Sequence, residues 1–267
     1  MLQIIKHDHW LTVPWRKFPK DVNRLQKRIY EASRKVDRVK VLKLQRLMLS
    51  SHAVRMLAIR QVTQLNDTKK TAGIDGKTAL TNGERFALQE KLKAQCKTWQ
   101  HEALRQTQIP KSDGTQRTLK IPTIADRAWQ CVIKMTLEPA HEAHFDQRSY
   151  GFRPGRCAHD AQKFMFQNLR SNANGKTKTV IELHIEKCFD RINHQTSVNQ
   201  IIAPNYVKTR LKQCLKMGVH PEYAEQGTPQ SGVVSPLLAN IALNGIEKIH
   251  KSVRYADHMI FVLKRNA

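Results

Sequence analysis

The sequence has few cysteines, and their placement excludes two classes of small fold. The five cysteines lie far apart along 267 residues, they are odd in number, and no two have the C-x-x-C spacing. Neither a disulfide framework nor a zinc ribbon is therefore expected. Glycine and proline are also scarce, at 11 and 10 residues. The chain has no segment of low complexity and no repeat at solenoid periods. We expect a globular protein with reduced, structural cysteines.

Long hydrophobic runs are also missing. No stretch approaches the roughly 20 apolar residues that a helix needs to span a bilayer, although 40% of the residues are hydrophobic. The first ten residues, MLQIIKHDHW, lack the apolar core of a signal peptide. We therefore expect no membrane partner and a cytoplasmic location.

Acidic residues are scarce, and the charge balance favours one kind of partner. The 46 Lys and Arg residues outnumber 22 Asp and Glu residues, which leaves a formal charge of +24 at pH 7. Residues 1–60 alone hold 15 cationic and 4 acidic side chains, a net charge of 15 − 4 = +11. A positive field of this kind attracts phosphate backbones, so nucleic acid is the expected partner.

The basic segment contains the pattern of an amphipathic helix. Apolar residues recur at steps of three and four from Val22 to Val39 and predict one continuous helix with a buried stripe. Its outer face carries cations with few acids to neutralise them, as expected of a surface that follows phosphates. The candidate RNA contacts on this face are Arg24, Lys27, Arg28, Arg34, Lys35 and Arg38. A merely solvated basic face is the alternative interpretation.

A second helix is expected to begin near Ser50 or Ser51, which are suitable N-caps, and to continue through Val62. A glycine-containing loop follows it. Lys69 and Lys70 stand beside this loop, so backbone amides and ammonium groups there could contact a nucleic-acid backbone.

The remainder of the chain alternates helical and extended patterns. The expected elements are a helix from 83 to about 106, a strand–turn–strand segment that ends near 122 and turns at Ser112–Gly114, a helix at 123–143, a basic aromatic loop at 144–158, a strand in KTVIELHIEKCFDRI and a terminal hairpin with its bend at Tyr255–His258. Helices combined with antiparallel strands indicate an α+β fold.

Several motifs occur in a fixed order along the chain. They are KKTAGIDG, IPKSDGTQRTLKIPTIADRAWQ, SYGFRPGRCAHDA, VIELHIEKCFDRINH, GTPQSGVVSPLLANIALN and RYADH. Together with the basic N-terminal helix they resemble the group II intron-encoded reverse transcriptases and maturases. The resemblance implies the fingers and palm of a right-hand polymerase behind a helical basic N-terminal extension that grips RNA. We divide the chain into that extension at 1–82 and the fingers with a partial palm at 83–267, and we expect the thumb to be absent.

The resemblance also implies a Mg²⁺ site in the palm. Such a site needs aspartates from two adjacent strands, because Mg²⁺ requires hard oxygen ligands in octahedral geometry. The family pattern would read D-I-E-K-C-F-D and Y-A-D-D, whereas this chain has His184 and His258 in place of two of the three carboxylates. Asp257 is the one metal-ligand carboxylate left in register. We therefore predict that Mg²⁺ binding is impaired and that polymerisation is lost.

Two alternatives for this site stay open. Glu182 or Glu186 could replace the missing carboxylate, although each lies about 6–7 Å along the strand from His184. Alternatively His184, Asp257 and His258 could together bind a transition metal, since two imidazoles and one carboxylate suit such ions.

Further candidate residues come from the fingers and from the GTPQSG segment. In the resemblance Lys111 and Arg117 match positions that contact the nucleotide triphosphate, and Gln230 lies in the segment that meets primer and nucleotide. In the aromatic loop, Arg153 and Arg156 are predicted to bind RNA. Phe152 beside them is interpreted equally well as a stacking platform or as a core residue.

The sequence thus favours an RNA-binding, reverse transcriptase-like protein of group II intron origin without polymerase activity. The alternatives are an active RNA-directed DNA polymerase with an atypical metal site, and a scaffold subunit of a ribonucleoprotein or a decayed gene product. The implied partners are structured RNA, such as a group II intron, and a second polypeptide that supplies the thumb. Without such a partner, we expect apolar surface around Val262 and the palm sheet to be exposed.

Overall fold

A computed structural model describes residues 10–110, 114, 116–217, 225–229 and 231–264 of the chain, without the side chain of Arg117. The helices are α1 (Lys17–Arg34), α2 (Arg38–Ser50), α3 (His52–Arg60), α4 (Asn82–Gln95), α5 (Ile124–Glu142), α6 (Ala158–Leu169), α7 (Cys188–Arg191), α8 (His194–Gln200), α9 (Asn205–Met217) and α10 (Ser235–Ala242). The strands are β1 (Arg105–Pro110), β2 (Gln116–Ile121), β3 (Lys178–His184), β4 (Ser252–Tyr255) and β5 (His258–Lys264).

The prediction of one continuous N-terminal helix is wrong beyond residue 34. Val36 adopts a left-handed backbone conformation with φ 57°, which turns the chain between α1 and α2. Asp37 then caps α2, where its carboxylate accepts a hydrogen bond from the Lys40 amide at 3.0 Å. Val36 and Val39 are consequently exposed, and the buried stripe of α1 ends at Ala32.

The second helix begins as predicted, with Ser51 at the N-cap position of α3. It continues past Arg60 as a turn of π-helix that contains Val62. The next helix is shorter than predicted and ends at Gln95.

The early end of helix α4 has a physical cause in the segment that follows it. The Asp126 carboxylate, buried at the start of α5, accepts hydrogen bonds from the Trp99 indole at 2.7 Å and binds the His101 ring at 2.9 Å. These contacts draw the chain away from the axis of α4 and into β1. The sequence pattern carried no sign of this buried carboxylate.

The strands form two antiparallel sheets, and the predicted hairpins are confirmed. β1 pairs with β2, with Arg105 opposite Ile121. The second sheet has the order β3-β5-β4. Its register sets His184 at the end of β3 opposite His258 at the start of β5. Among the positions of the predicted first turn, Ser112 and Asp113 lie outside the described residues.

Helix α5 occupies the centre of the hydrophobic core. Trp129, Ile133 and Leu137 are fully buried along it, and α1, α2 and α3 pack around it. One cluster of buried apolar side chains therefore contains residues from both segments, 1–82 and 83–267. No helix within the described part of the chain combines the length and apolar character needed to cross a bilayer.

The prediction of exposed apolar surface holds for the palm sheet but is wrong for Val262. Val262 is buried and lies on β5, the central strand of its sheet. The exposed apolar side chains are instead on β3, which forms an edge of the sheet, and they are Val180, Ile181 and Leu183.

Candidate functional site

The end of β3 and the bend between β4 and β5 bring three candidate metal ligands together. The Nε2 atom of His184 lies 3.2 Å from an Asp257 carboxylate oxygen. The rings of His184 and His258 have centroids 4.5 Å apart. One ligand atom from each of the three residues can be chosen so that all lie within 4.8 Å of one another. The backbone is fixed at the same place, since the Ile185 amide donates to the Asp257 carbonyl at 3.0 Å.

A buried arginine holds the bend that carries Asp257. The Arg254 side chain, only 1% exposed, donates to the Glu247 carboxylate at 2.6 Å. Its guanidinium also donates to the Asn240 side chain and to the Ala256 carbonyl, both at 3.0 Å. The sequence does not predict this network, because Arg254 is one of many basic residues and only its place beside Tyr255 hints at a role.

The aromatic loop docks directly on this bend. Gly151 lies so close to it that a β-carbon there would stand 2.3 Å from the Ala256 amide nitrogen. The Gly151 carbonyl accepts a hydrogen bond from the Asn240 side chain at 2.9 Å. Only glycine fits this position, and the loop and hairpin form one rigid corner.

Phe152 is about half exposed, and its ring meets the edge of Phe189 at 6.1 Å between centroids. Of the two interpretations of this residue, the core residue does not fit this exposure. About half of this side chain is therefore open to solvent.

The donor atoms of the site do not fit the Mg²⁺ that the resemblance implies. Two of the three ligands are imidazole nitrogens, which are suited to zinc, copper or nickel and add no negative charge when neutral. Among the described residues, the cluster of close ligand atoms contains neither Glu182 nor Glu186. Burial raises the pKa of the neighbouring Cys188 thiol to about 11, and the charge of Asp257 adds to this increase. Cys188 therefore stays neutral at pH 7 and supplies no thiolate.

The cations predicted on the N-terminal helix lie at the surface in α1, in α2 and in the turn between them. The exposed residues are Arg24, Lys27, Arg28, Arg34, Lys35 and Arg38. Two of them have acidic neighbours on the same helix, Arg24 with Asp21 at 3.4 Å and Lys27 with Glu31 at 4.0 Å. The others make no ion pair with any described residue, so the face keeps a net positive charge.

Arg34 and Arg156 line one cleft, although they are far apart in sequence. Tyr30, Tyr150 and Phe164 also line it, and its other lining residues include Glu142, Arg148 and Arg153. The Arg156 guanidinium lies over the Tyr150 ring at 5.5 Å from its centroid. Helix α1 and the aromatic loop thus combine cationic and aromatic side chains in one concave surface.

Lys69 and Lys70 line a second cleft, together with Arg85. Lys69 is held in place because its ammonium group donates to the Gln64 carbonyl at 2.7 Å. Lys70 is exposed.

The prediction for Arg153 needs correction. This side chain is buried rather than displayed, and it pairs with Glu142 while donating to the Ser149 carbonyl at 2.6 Å. It also lies over the Phe145 ring. Its charge is used to hold the aromatic loop together, so it is not available for a phosphate.

The three candidate nucleotide contacts fall largely beyond what the structure describes. Lys111 and Gln230 lie outside the described residues. Arg117 stands in β2 opposite Ile109, and its side chain is also outside the description.

Two known families match successive segments of the chain. Residues 10–92 match the N-terminal domain of reverse transcriptase. Residues 109–267, more than half of the chain, match the reverse transcriptase (RNA-dependent DNA polymerase) family.

Individual proteins are also similar to this chain. Maturase-like protein 1 of Euglena gracilis is 34% identical over 250 residues, which cover 94% of this chain and 54% of that protein. Group II intron-encoded protein LtrA of Lactococcus lactis subsp. cremoris is 34% identical over 161 residues, 57% of this chain and 26% of that protein. A solved structure, the partial Cas6-RT-Cas1–Cas2 complex, aligns with a TM-score of 0.48 at 21% identity over 84% of this chain and 38% of that chain. The chain spans about half the length of its Euglena relative.

Proposed function

This chain belongs to the group II intron-encoded reverse transcriptase and maturase family, and on that premise we propose that it binds structured RNA without copying it. RNA binding is supported chiefly by the cationic surface around the α1–α2 turn, which is formed by the exposed cations of α1, α2 and the turn between them. The absence of copying is supported by the replacement of two metal-ligand carboxylates by imidazoles.

The charge of the cationic surface supports phosphate contact rather than simple solubility. α1 and α2 together contain ten Lys and Arg residues and two acidic residues, and a balanced solvated face would carry similar numbers of each. Phosphate contacts from such a surface release condensed counterions and give affinity that falls steeply with salt. The extension proposed at 1–82 is then the part of the protein that grips RNA.

The cleft between α1 and the aromatic loop supports a second point of contact. Arg34 and Arg156 are placed to meet phosphates, while Tyr30 and Tyr150 offer ring surface on which an unpaired base could stack. We propose that single-stranded or looped segments of a folded RNA enter this cleft. Group II intron RNA is the expected ligand, because relatives of this chain are encoded in such introns.

The chemistry of the palm supports the absence of copying. The two-metal route requires carboxylates from two adjacent strands. At the corresponding positions this chain presents His184 and His258 beside Asp257, so Mg²⁺ would lack two anionic oxygen ligands. A misplacement of about 1 Å can already cost a hundredfold in rate, and this change removes the ligand atoms themselves.

Binding to a folded intron RNA and to an unstructured RNA of equal length tests the proposal. Filter binding or fluorescence anisotropy should give tighter binding to the folded RNA, with affinity that falls as salt rises. Crosslinking of the expressed protein to cellular RNA would identify the natural ligand. Absence of binding, or binding that is equal at low and physiological salt, would contradict the RNA-binding half.

A further inference from the structure

The palm corner that no longer suits magnesium has the geometry of a different metal site. His184 stands at the end of β3, Asp257 at the bend between β4 and β5, and His258 at the start of β5. Strand pairing sets the two histidines directly opposite each other. Three ligating side chains from two strands of one sheet therefore converge without any rearrangement of the backbone.

The ligand atoms of the three side chains are close enough that side-chain motion alone can bring them to the spacing of a transition-metal site. Zinc bonds to imidazole nitrogen and carboxylate oxygen of about 2.0–2.2 Å place neighbouring ligand atoms about 3.3 Å apart in a tetrahedron. His184 Nε2 and the Asp257 oxygen are already 3.2 Å apart. No two of the ligand atoms lie more than 4.8 Å apart, so they must approach by about 1.5 Å at most to reach that spacing. The His184 side chain is 52% exposed, which leaves its ring free to rotate.

The bend itself is preorganised, so a metal ion would not have to order it. Arg254 fixes the bend through Glu247 and Asn240. The Ile185 amide ties β3 to the Asp257 carbonyl. Only side-chain rotations are left to the binding step, and this reduces its entropic cost.

We propose that His184, Asp257 and His258 form a binding site for one divalent transition-metal ion, with Zn²⁺ as the first candidate. Two neutral imidazoles and one carboxylate are ligands that Zn²⁺ accepts, and three protein ligands leave one position to solvent. The inference goes beyond RNA binding and is independent of it, since the site lies in the palm and not on the α1–α2 surface.

The alternative is an ion pair without metal. The 3.2 Å contact between His184 and Asp257 is also that of an ion pair, and strand pairing by itself already sets His258 opposite His184. The two arrangements differ in whether a metal ion binds at all, so a titration separates them.

The test is calorimetric titration of the metal-free chain with ZnCl₂, accompanied by the visible absorption spectrum of the Co²⁺ form. The protein carries a Cys157→Ser substitution, because Cys157 is an exposed thiol that could bind zinc elsewhere. We expect one ion per chain and a Co²⁺ spectrum of low coordination number. Excess Mg²⁺ should not displace the ion.

Matched variants locate the site. His184→Ala together with His258→Ala should weaken Zn²⁺ binding by more than the roughly 10- to 100-fold that loss of an outer-shell partner causes. The control, His159→Ala with His250→Ala, removes two exposed histidines outside the cluster and should leave affinity unchanged. Circular dichroism and a urea unfolding curve establish that each variant is folded.

Two results would overturn the proposal. One is the absence of stoichiometric zinc binding by the folded parent chain. The other is zinc binding that persists in the His184→Ala, His258→Ala protein, which would identify an adventitious ion only.

Discussion

Neutralising the α1–α2 turn should weaken RNA binding in a way that depends on salt. The perturbation is the triple substitution Arg34→Gln, Lys35→Gln and Arg38→Gln, at three exposed cations that have no acidic partner among the described residues. Each phosphate contact contributes about 0.7 to 0.9 to the slope of log affinity against log salt. Loss of three contacts should therefore lower the slope by about 2 to 3 units. Between about 50 and 200 mM salt, the variant should lose about 20- to 40-fold less affinity than the parent.

The assay is fluorescence anisotropy with a folded intron RNA over a series of salt concentrations. The control removes three cations that are already paired, through Lys77→Gln, Lys91→Gln and Lys93→Gln. These lysines lie 3.0, 4.0 and 3.6 Å from the carboxylates of Glu84, Glu102 and Glu90. Both triple variants have the same net charge. An equal change of slope in both would refute a localised binding surface and would indicate attraction by overall charge alone.

Three further predictions concern the fold that supports the cationic surface of α1 and α2 and the palm corner. Burial lowers the pKa of His141 from 6.5 to about 3, so the unfolded chain binds more protons than the folded chain as pH falls below 6.5. This residue should therefore make the protein about 1.4 kcal/mol less stable near pH 5.5 than near pH 7.5. Urea unfolding at the two pH values measures the difference, and His141→Gln should reduce it. Arg254→Met leaves the Glu247 carboxylate buried without its partner and should lower the free energy of unfolding by about 3–5 kcal/mol in the same assay. A loss below about 1 kcal/mol, roughly that of a surface ion pair, would contradict the network. Gly151→Ala drives a β-carbon into the Ala256 backbone and should destabilise the protein by about 1–3 kcal/mol, and unchanged stability would show that the loop is not fixed there.

The local patterns of the sequence predicted most helices and strands, since they depend on near neighbours. Helix α5 and the strands of the terminal hairpin lie where periodicity placed them. One error arose where a distant residue decides the outcome, since the segment after α4, which ends at Gln95, is held by the Asp126 carboxylate. The other arose from a local turn, in which Val36 adopts a left-handed conformation and Asp37 caps the next helix.

The sequence predicted which residues form the candidate site but not which residues hold them in place. Ordered motifs pointed to His184, Asp257 and His258 because two strands of a palm sheet must meet there. The burial of Arg153 against Glu142 could not be inferred, because an arginine in a basic loop has the same sequence signature whether it is buried or displayed. The same holds for Arg254, whose charge is compensated by a residue seven positions earlier.

We propose that this member of the family has lost magnesium-dependent copying while its RNA-binding surface persists. Primer extension on an RNA template with Mg²⁺ tests it most directly, with RNA binding by the same preparation as the control for folding. We predict no extended product from the unaltered chain under conditions in which it binds the template. Template-directed extension by the unaltered chain, abolished by Asp257→Asn, would contradict the account.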